Sequence, residues 1–178
     1  MATLIKSAMV AADVATQSEL DAVASAKLAG DVVQVVHYQT GAFASGTTLI
    51  PQDDTIPQNT EGTEVMTLAI TPTSATNVLM IEAIVHGSNS VANALVAALF
   101  QDATAGALAV SSGPYIATAN AFSQISLRHK MTAGTTSATT FKIRIGATTA
   151  GTTYFNGNVT RYYGGAFVSS ITITEINV

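Results

Sequence analysis

Cysteine and tryptophan are absent from the 178 residues. Without cysteine there is no disulfide, no thiolate zinc site and no thiol chemistry. The fold must therefore rest on apolar burial, backbone hydrogen bonds and association. Charge is scarce as well: 7 Lys+Arg and 11 Asp+Glu make 10% of the chain, against about 25% in ordinary soluble domains. The longest apolar run, Ala94–Phe100, is too short for a membrane-spanning helix, so no membrane partner is expected. A net charge of −4 with no basic block argues against a nucleic-acid partner. With 48% apolar residues the chain has enough to build a core and is not disordered. In the first residues one basic side chain, Lys6, precedes an apolar stretch that Asp13 interrupts. That is not a secretory leader, and synthesis in the cytoplasm is expected.

What replaces charge is threonine and alanine, 26 and 30 residues respectively. Threonine favours strands, and a surface of Thr, Ser, Ala, Asn and Gly costs little to desolvate compared with one of Lys and Glu. Such a surface suits tight packing between subunits or exposure outside a cell.

Two regions differ in pattern. Residues 1–30 hold no aromatic residue, and Thr16-Gln-Ser-Glu19 fits a capping box that opens a helix. Leu20, Val23, Ala24 and Leu28 then share one helical stripe, with Gly30 placed for a C-terminal cap. A helix of about a dozen residues is marginal alone, so this stripe is read as an anchor that docks on another protein. From Asp31 the period changes to two, through segments at 33–38, 64–71, 77–86, 93–101, 124–131, 141–145, 152–155 and 167–176. Eight strands with Gly, Asn and Thr turns predict an all-β, antiparallel jelly-roll β-sandwich over 31–178. Asn77–His86 is apolar on both faces, as for a strand covered twice. The Ala- and Leu-rich stretch Ser90–Leu108 has helical propensity, yet a strand at Asn93–Gln101 is expected because a central helix would interrupt the sandwich.

Catalytic motifs are lacking: there is no nucleophile elbow, no zinc-protease pair and no phosphate loop. The reading is non-enzymatic, with no cofactor and no metal. His37, His86 and His129 fall on three separate strands and are read as ordinary strand residues. Asp53-Asp54 is read as a solvated turn. Charge is unevenly spread, with ten of the eleven acids at or before Asp102 and five of the seven bases at or after Arg128. Arg128 and Lys130 share one strand face, and Lys142 and Arg144 another. Were these two strands paired through the Ala133–Ala138 turn, the four cations would form one patch. Glu82 and the Asp53/Asp54 loop of a neighbouring subunit are the candidate counter-charges. A second candidate site is aromatic: Arg161, Tyr162 and Tyr163, flanked by glycines, together with Tyr115 and Tyr154, for ligand binding.

The string from Thr47 to Ile70, the following Thr71–Asn77, and later Ala98–Asp102, Met131–Thr136 and Ser169–Glu175 resemble a trimeric jelly-roll domain of tailed-bacteriophage structural proteins. The resemblance covers Val32–Val178. Such domains are tumour-necrosis-factor-like sandwiches found in tail fibres, spikes, head fibres and capsid decoration proteins, and they bring no catalytic residues. The resemblance implies a homotrimeric virion protein, attached by residues 1–30 to capsid or tail proteins and displaying its knob. The alternative is a receptor-binding tail-fibre module that recognises host surface glycan.

Overall fold

The alternation that begins at Val32 is realised as strands. The computed structural model describes residues 29–178; the anchor stripe Leu20, Val23, Ala24 and Leu28 lies outside the described residues. Twelve strands follow: β1 (Val32–Thr40), β2 (Ala44–Gly46), β3 (Thr63–Ile70), β4 (Val78–Asn89), β5 (Leu95–Gln101), β6 (Ala109–Ser112), β7 (Phe122–Thr132), β8 (Thr139–Ala147), β9 (Thr153–Phe155), β10 (Gly157–Asn158), β11 (Thr160–Arg161) and β12 (Ser169–Ile176). One sheet runs β1-β12-β4-β7 and the facing sheet β3-β8-β5-β6, all antiparallel. Apart from the β5–β6 hairpin, the eight principal strands alternate between the two layers along the chain, which is the jelly-roll topology. Beyond the start of β12, β9 takes over the pairing with β4 and in turn pairs β2.

The eighth jelly-roll strand differs from the expected one. The 152–155 segment is β9, a short extension, whereas the jelly-roll partner of β5 is β6, only four residues long. Ser90–Leu108 does hold a strand, because β5 lies between β8 and β6 and each face finds its own core. Leu95, Ala97 and Leu99 join the main inter-sheet core with Leu79, Ile81, Phe141, Ile143 and Ile173. Val96, Ala98 and Phe100 point the other way and are buried against Ile50. The segment 47–62 crosses that outer face, held by Ile50 N–H to Ala147 O (3.0 Å) and Ala107 N–H to Pro57 O (2.9 Å). It lies so close that a Cβ on Gly146 would come within 2.8 Å of the Ile50 backbone nitrogen. The strand covered on both faces is therefore β5. In β4 the second face, Met80, Glu82, Ile84 and His86, is half-buried to exposed.

At one end of the sandwich, called the base, β1 begins and β12 finishes, with Val32 opposite Ile176 and Ile176 opposite Val78. Glu175 is fully buried there with no cation paired to it among the described residues. Its Oε1 accepts from Thr73 N–H and Oγ1–H (2.8 Å each) and from Asn77 Nδ2 (2.6 Å), and its Oε2 accepts from Gln34 Nε2 (2.6 Å). Burial raises its pKa, but the hydrogen bonds from Gln34, Asn77 and Thr73 outweigh it and lower the value to about 2. The carboxylate thereby ties β12 and β1 to the 71–77 crossover that joins the two sheets.

Because the folded pKa lies below the ordinary 4.5, this site stabilises the fold above pH 4.5. The contribution, roughly 3 kcal/mol, is lost as pH falls from 4.5 towards 2. Glu175→Gln is expected to lower stability at pH 7 by about 1–3 kcal/mol and to flatten the acid limb of a stability–pH curve measured by urea denaturation. Phe100→Ala should cost about 3–5 kcal/mol in the same assay and release segment 47–62 to proteolysis, since its aromatic ring is what that segment covers.

Candidate functional site

The four cations of the charge hypothesis do not gather. Strands β7 and β8 lie in different sheets, because 133–138 crosses between layers instead of turning a hairpin. Arg128 and Lys130 do share the outer face of β7, and Lys142 and Arg144 the outer face of β8, but each group is answered within its own sheet. Arg128 Nη2 meets Glu82 Oε1 at 2.5 Å across the β4–β7 pair. Lys142 Nζ and Arg144 Nη1 lie 3.6 and 3.5 Å from Glu64 Oε2, and Arg144 also donates to the Glu61 and Gly62 carbonyls at 2.7 and 2.8 Å. Lys130, opposite Met80, has no carboxylate partner among the described residues. Asp53 caps its own turn, accepting from Thr55 N–H at 2.9 Å and from the Thr55 hydroxyl. The Thr55 hydrogen bonds hold its pKa below the usual value. His37 Nδ1 contacts Thr172 Oγ1 (2.8 Å), His86 Nε2 contacts Gln124 Oε1 (3.1 Å), and His129 faces inward beside Ile81 in the β4–β7 ladder.

Aromatic side chains, by contrast, come together at the end opposite the base, here called the pole. Arg161 ends β11, and Tyr163–Gly165 form a 3₁₀ turn that leads to Phe167 and β12. The turn closes through Gly165 N–H to Tyr162 O and Ala166 N–H to Tyr163 O, both 3.0 Å. Phe122 rises from the first residue of β7. Its ring lies 4.9 Å from Tyr162 and 5.4 Å from Phe167, edge to face in the second case. Tyr163 packs 6.0 Å from both Tyr162 and Phe167, and His86 lies 4.6 Å from Phe167. Tyr162 is half-buried, while Tyr163 is 78% and Phe122 38% exposed.

Beneath this cluster Asn156 is fully buried. It donates to the Thr40 and Ala42 carbonyls at 2.8 and 3.2 Å and accepts from Ser169 Oγ–H at 2.6 Å. It thus welds the end of β1, the start of β12 and the 156–168 excursion. A methyl group on Gly41 would overlap the Gly165 carbonyl, so the 41–43 bend packs directly under the aromatic turn.

Of the aromatic residues singled out from sequence, Tyr162, Tyr163 and Arg161 belong to this cluster. Tyr154 stacks instead on Phe43 at 6.2 Å, and Tyr115 stands 69% exposed with no ring neighbour among the described residues. Phe122, Phe167 and His86 were missed. They are separated from 161–163 along the chain or assigned to strand ends, and only the register (Ser88 opposite Phe122) and the return of the chain into β12 unite them.

A second feature is the outer face of the β1-β12-β4-β7 sheet. It presents Thr172, Ser170, Ser126, Ile84 and the Glu82–Arg128 pair around a concavity of about 550 Å³. Nothing among the described residues covers it in the way 47–62 covers the other sheet.

Comparison with solved structures finds similar folds at low identity. An Eiger tumour necrosis factor from S. frugiperda is 8% identical, with 81% of this chain and 94% of that one aligned and a TM-score of 0.45. The VP2 subviral particle of infectious bursal disease virus is 11% identical over 82% of this chain, which spans only 34% of that one, with a TM-score of 0.41. The C-terminal domain of EclA, a sugar-binding protein, is 15% identical over 74% and 79%, with a TM-score of 0.32. No curated protein sequence matches the chain. A family model described as the Pgp3 C-terminal domain matches residues 47–178, and the match itself says nothing of a virion. All five motif strings of the sequence reading fall within that span, and on this match the chain belongs to the Pgp3 C-terminal domain family.

Proposed function

We propose that three copies of this chain associate through the bare outer face of β1-β12-β4-β7, forming a non-catalytic display module of a bacteriophage virion. In this reading residues 1–30 fasten the trimer to the particle and the sandwich stands outward. The supporting observation is the asymmetry between the two outer sheet faces. One is sealed by the chain's own segment 47–62, and the other is left with Ile84 at 42%, Val35 at 56% and Val32 at 60% exposure. Thr172, Ser170, Ser126 and Gln124 add hydroxyl and amide groups, Glu82–Arg128 is already paired, and Lys130 is the one charge on this face without a carboxylate among the described residues. Removing such a face from water costs few unpaired charges. A standard interface of about 800 Å² per partner would fit on it.

Pgp3 is a chlamydial plasmid-encoded virulence protein; a self-associating displayed domain suits that setting as well as a particle surface. The virion reading draws on the sequence resemblance and on the polarity of the fold, since the chain enters at the base, beside Ile176, and presents the pole away from it. Three fasteners on one trimer would bind with avidity, the second and third contacts being intramolecular.

Sedimentation of the full chain should give the mass of three copies down to low micromolar concentration; a single-chain mass overturns the trimer. Ile84→Arg, which buries three guanidinium groups in the assembly, should raise the dissociation midpoint by at least ~100-fold with unchanged circular dichroism. Lys142→Glu with Arg144→Glu should lower stability through Glu64 and leave the trimer intact. Removing residues 1–30 should keep the trimer and abolish its incorporation into particles. Absence of the intact chain from purified particles would refute the virion assignment alone.

A further inference from the structure

We infer that the pole is a binding site for an acidic saccharide, with Tyr163 as the stacking platform and Arg161 as the carboxylate partner. Three independent observations converge there.

The first is the ring arrangement. Phe122, Tyr162 and Phe167 brace one another at 4.9–5.4 Å and hold Tyr163 on the outside, 78% exposed. A braced ring offers its π face at little entropic cost, and the C–H face of a pyranose is its natural complement. Tyrosine hydroxyls at the rim are ready to meet sugar hydroxyls.

The second is charge. Arg128, Lys142 and Arg144 each have a carboxylate, whereas Arg161, exposed beside Gly165, has none among the described residues and is the only such cation at the pole, Lys130 lying near the base opposite Met80. No acid occurs anywhere between Asp102 and Glu175, so every segment that builds the 156–168 excursion and the Phe122 end of β7 lacks negative charge. A guanidinium in that setting is suited to a planar, bidentate carboxylate.

The third is cost. Asn120, Asn156, Val159 and Tyr163 adopt φ of 64°, 53°, 60° and 48°, four of the five non-glycine residues in this region of φ among those described. For the β-branched Val159 this is a true outlier. Three of the four buried side-chain polar atoms without a partner, His86 Nδ1, Ser123 Oγ and Asn158 Oδ1, also lie at the pole. The fourth, Asn77 Oδ1, lies at the base, where Glu175 itself is fully satisfied. Strain and unmet hydrogen bonds are retained where a geometry is needed for something besides stability.

The site uses residues of a single chain, so it stands whether or not the trimer does. It lies roughly 40 Å from the base, the length of the 12-residue β4 at about 3.3 Å per residue. On a module held at its base, that is the end a ligand meets.

The test is titration of the full chain, by calorimetry and saturation-transfer NMR, with a glucuronic-acid disaccharide, sialyllactose and neutral lactose. At least one of the two acidic probes should bind with Kd on the order of 0.1–1 mM and lactose at least tenfold more weakly; which acidic probe binds distinguishes a uronic from a sialic source. Arg161→Gln should abolish the acidic preference. Tyr163→Gly should lose binding by at least tenfold while melting at the same temperature or higher, because glycine relieves the positive φ; Tyr115→Ala should bind as the parent does. Ile84→Arg should retain the per-chain affinity even as a single chain, which separates this site from the trimer. Absence of binding by both acidic probes, or unchanged affinity in Tyr163→Gly, overturns the site. A change of oligomeric mass in Tyr163→Gly would instead make the cluster a contact between copies.

Discussion

A two-sheet sandwich has one inner layer and two outer faces, and a chain of low charge must do something with all three. Here the main core is filled by the inward series of both sheets, and segment 47–62 folds back to make a second apolar layer over Val96, Ala98 and Phe100. That covering is the constraint on which the other features depend. It frees β5 from any need for polar residues on either face, and it uses up the one long loop available. The outer face of β1-β12-β4-β7 has no such cover among the described residues. Hydrophobic burial is non-directional, so the decision about which face stays open is made by connectivity and not by hydrophobicity.

The two ends of the sandwich have been shaped to different ends. At the base a buried carboxylate is saturated by neutral donors, and two distant stretches of chain, 71–77 and 169–175, are locked together through it. These are two of the strings on which the family resemblance was drawn, and the structure gives their joint role: Thr73 and Asn77 exist to hold Glu175. At the pole, Asn156 performs a similar weld, but the chain above it runs through left-handed conformations and leaves polar atoms unmet. Left-handed backbone is concentrated at the pole, while the base is knit by the hydrogen bonds of one buried carboxylate.

Most of the strands could be read from the sequence because alternation with Thr and β-branched residues has a physical period of two. The errors have equally physical causes. The double apolar face of Asn77–His86 suggested a covered strand, but no local signal tells whether a loop will arrive to cover it. Ala109–Ser112 was too short and too small in its side chains to register as a strand, and 152–155 took its place in the count. The cation patch failed at one step, the assumption that neighbouring strands joined by a six-residue connection pair with each other; in a jelly roll such a connection crosses layers. Half of the aromatic cluster was legible, since Arg161-Tyr-Tyr-Gly-Gly is contiguous. Phe122 and His86 were not, because their proximity depends on the register of β4 with β7, and Phe167, though only four residues from Tyr163, joins them only through the return of the chain into β12.

The amino-acid sequence by itself determined the chemistry of the surface and the class of fold. Scarce charge, abundant Thr and Ala, no cysteine and period-two alternation admit an antiparallel sandwich, and the lack of cysteine excludes thiol and metal-thiolate chemistry. Only the tertiary structure decided which face is sealed, that Glu64 rather than a neighbour answers Lys142 and Arg144, and that four rings and a guanidinium with no carboxylate among the described residues meet at one end. Most of these contacts join residues far apart in the chain, such as Phe122 and Tyr162, Glu64 and Arg144, or Ile50 and Ala147. Composition and periodicity constrain each strand separately, while the order in which strands are laid side by side is settled by the connections and by the packing of the whole.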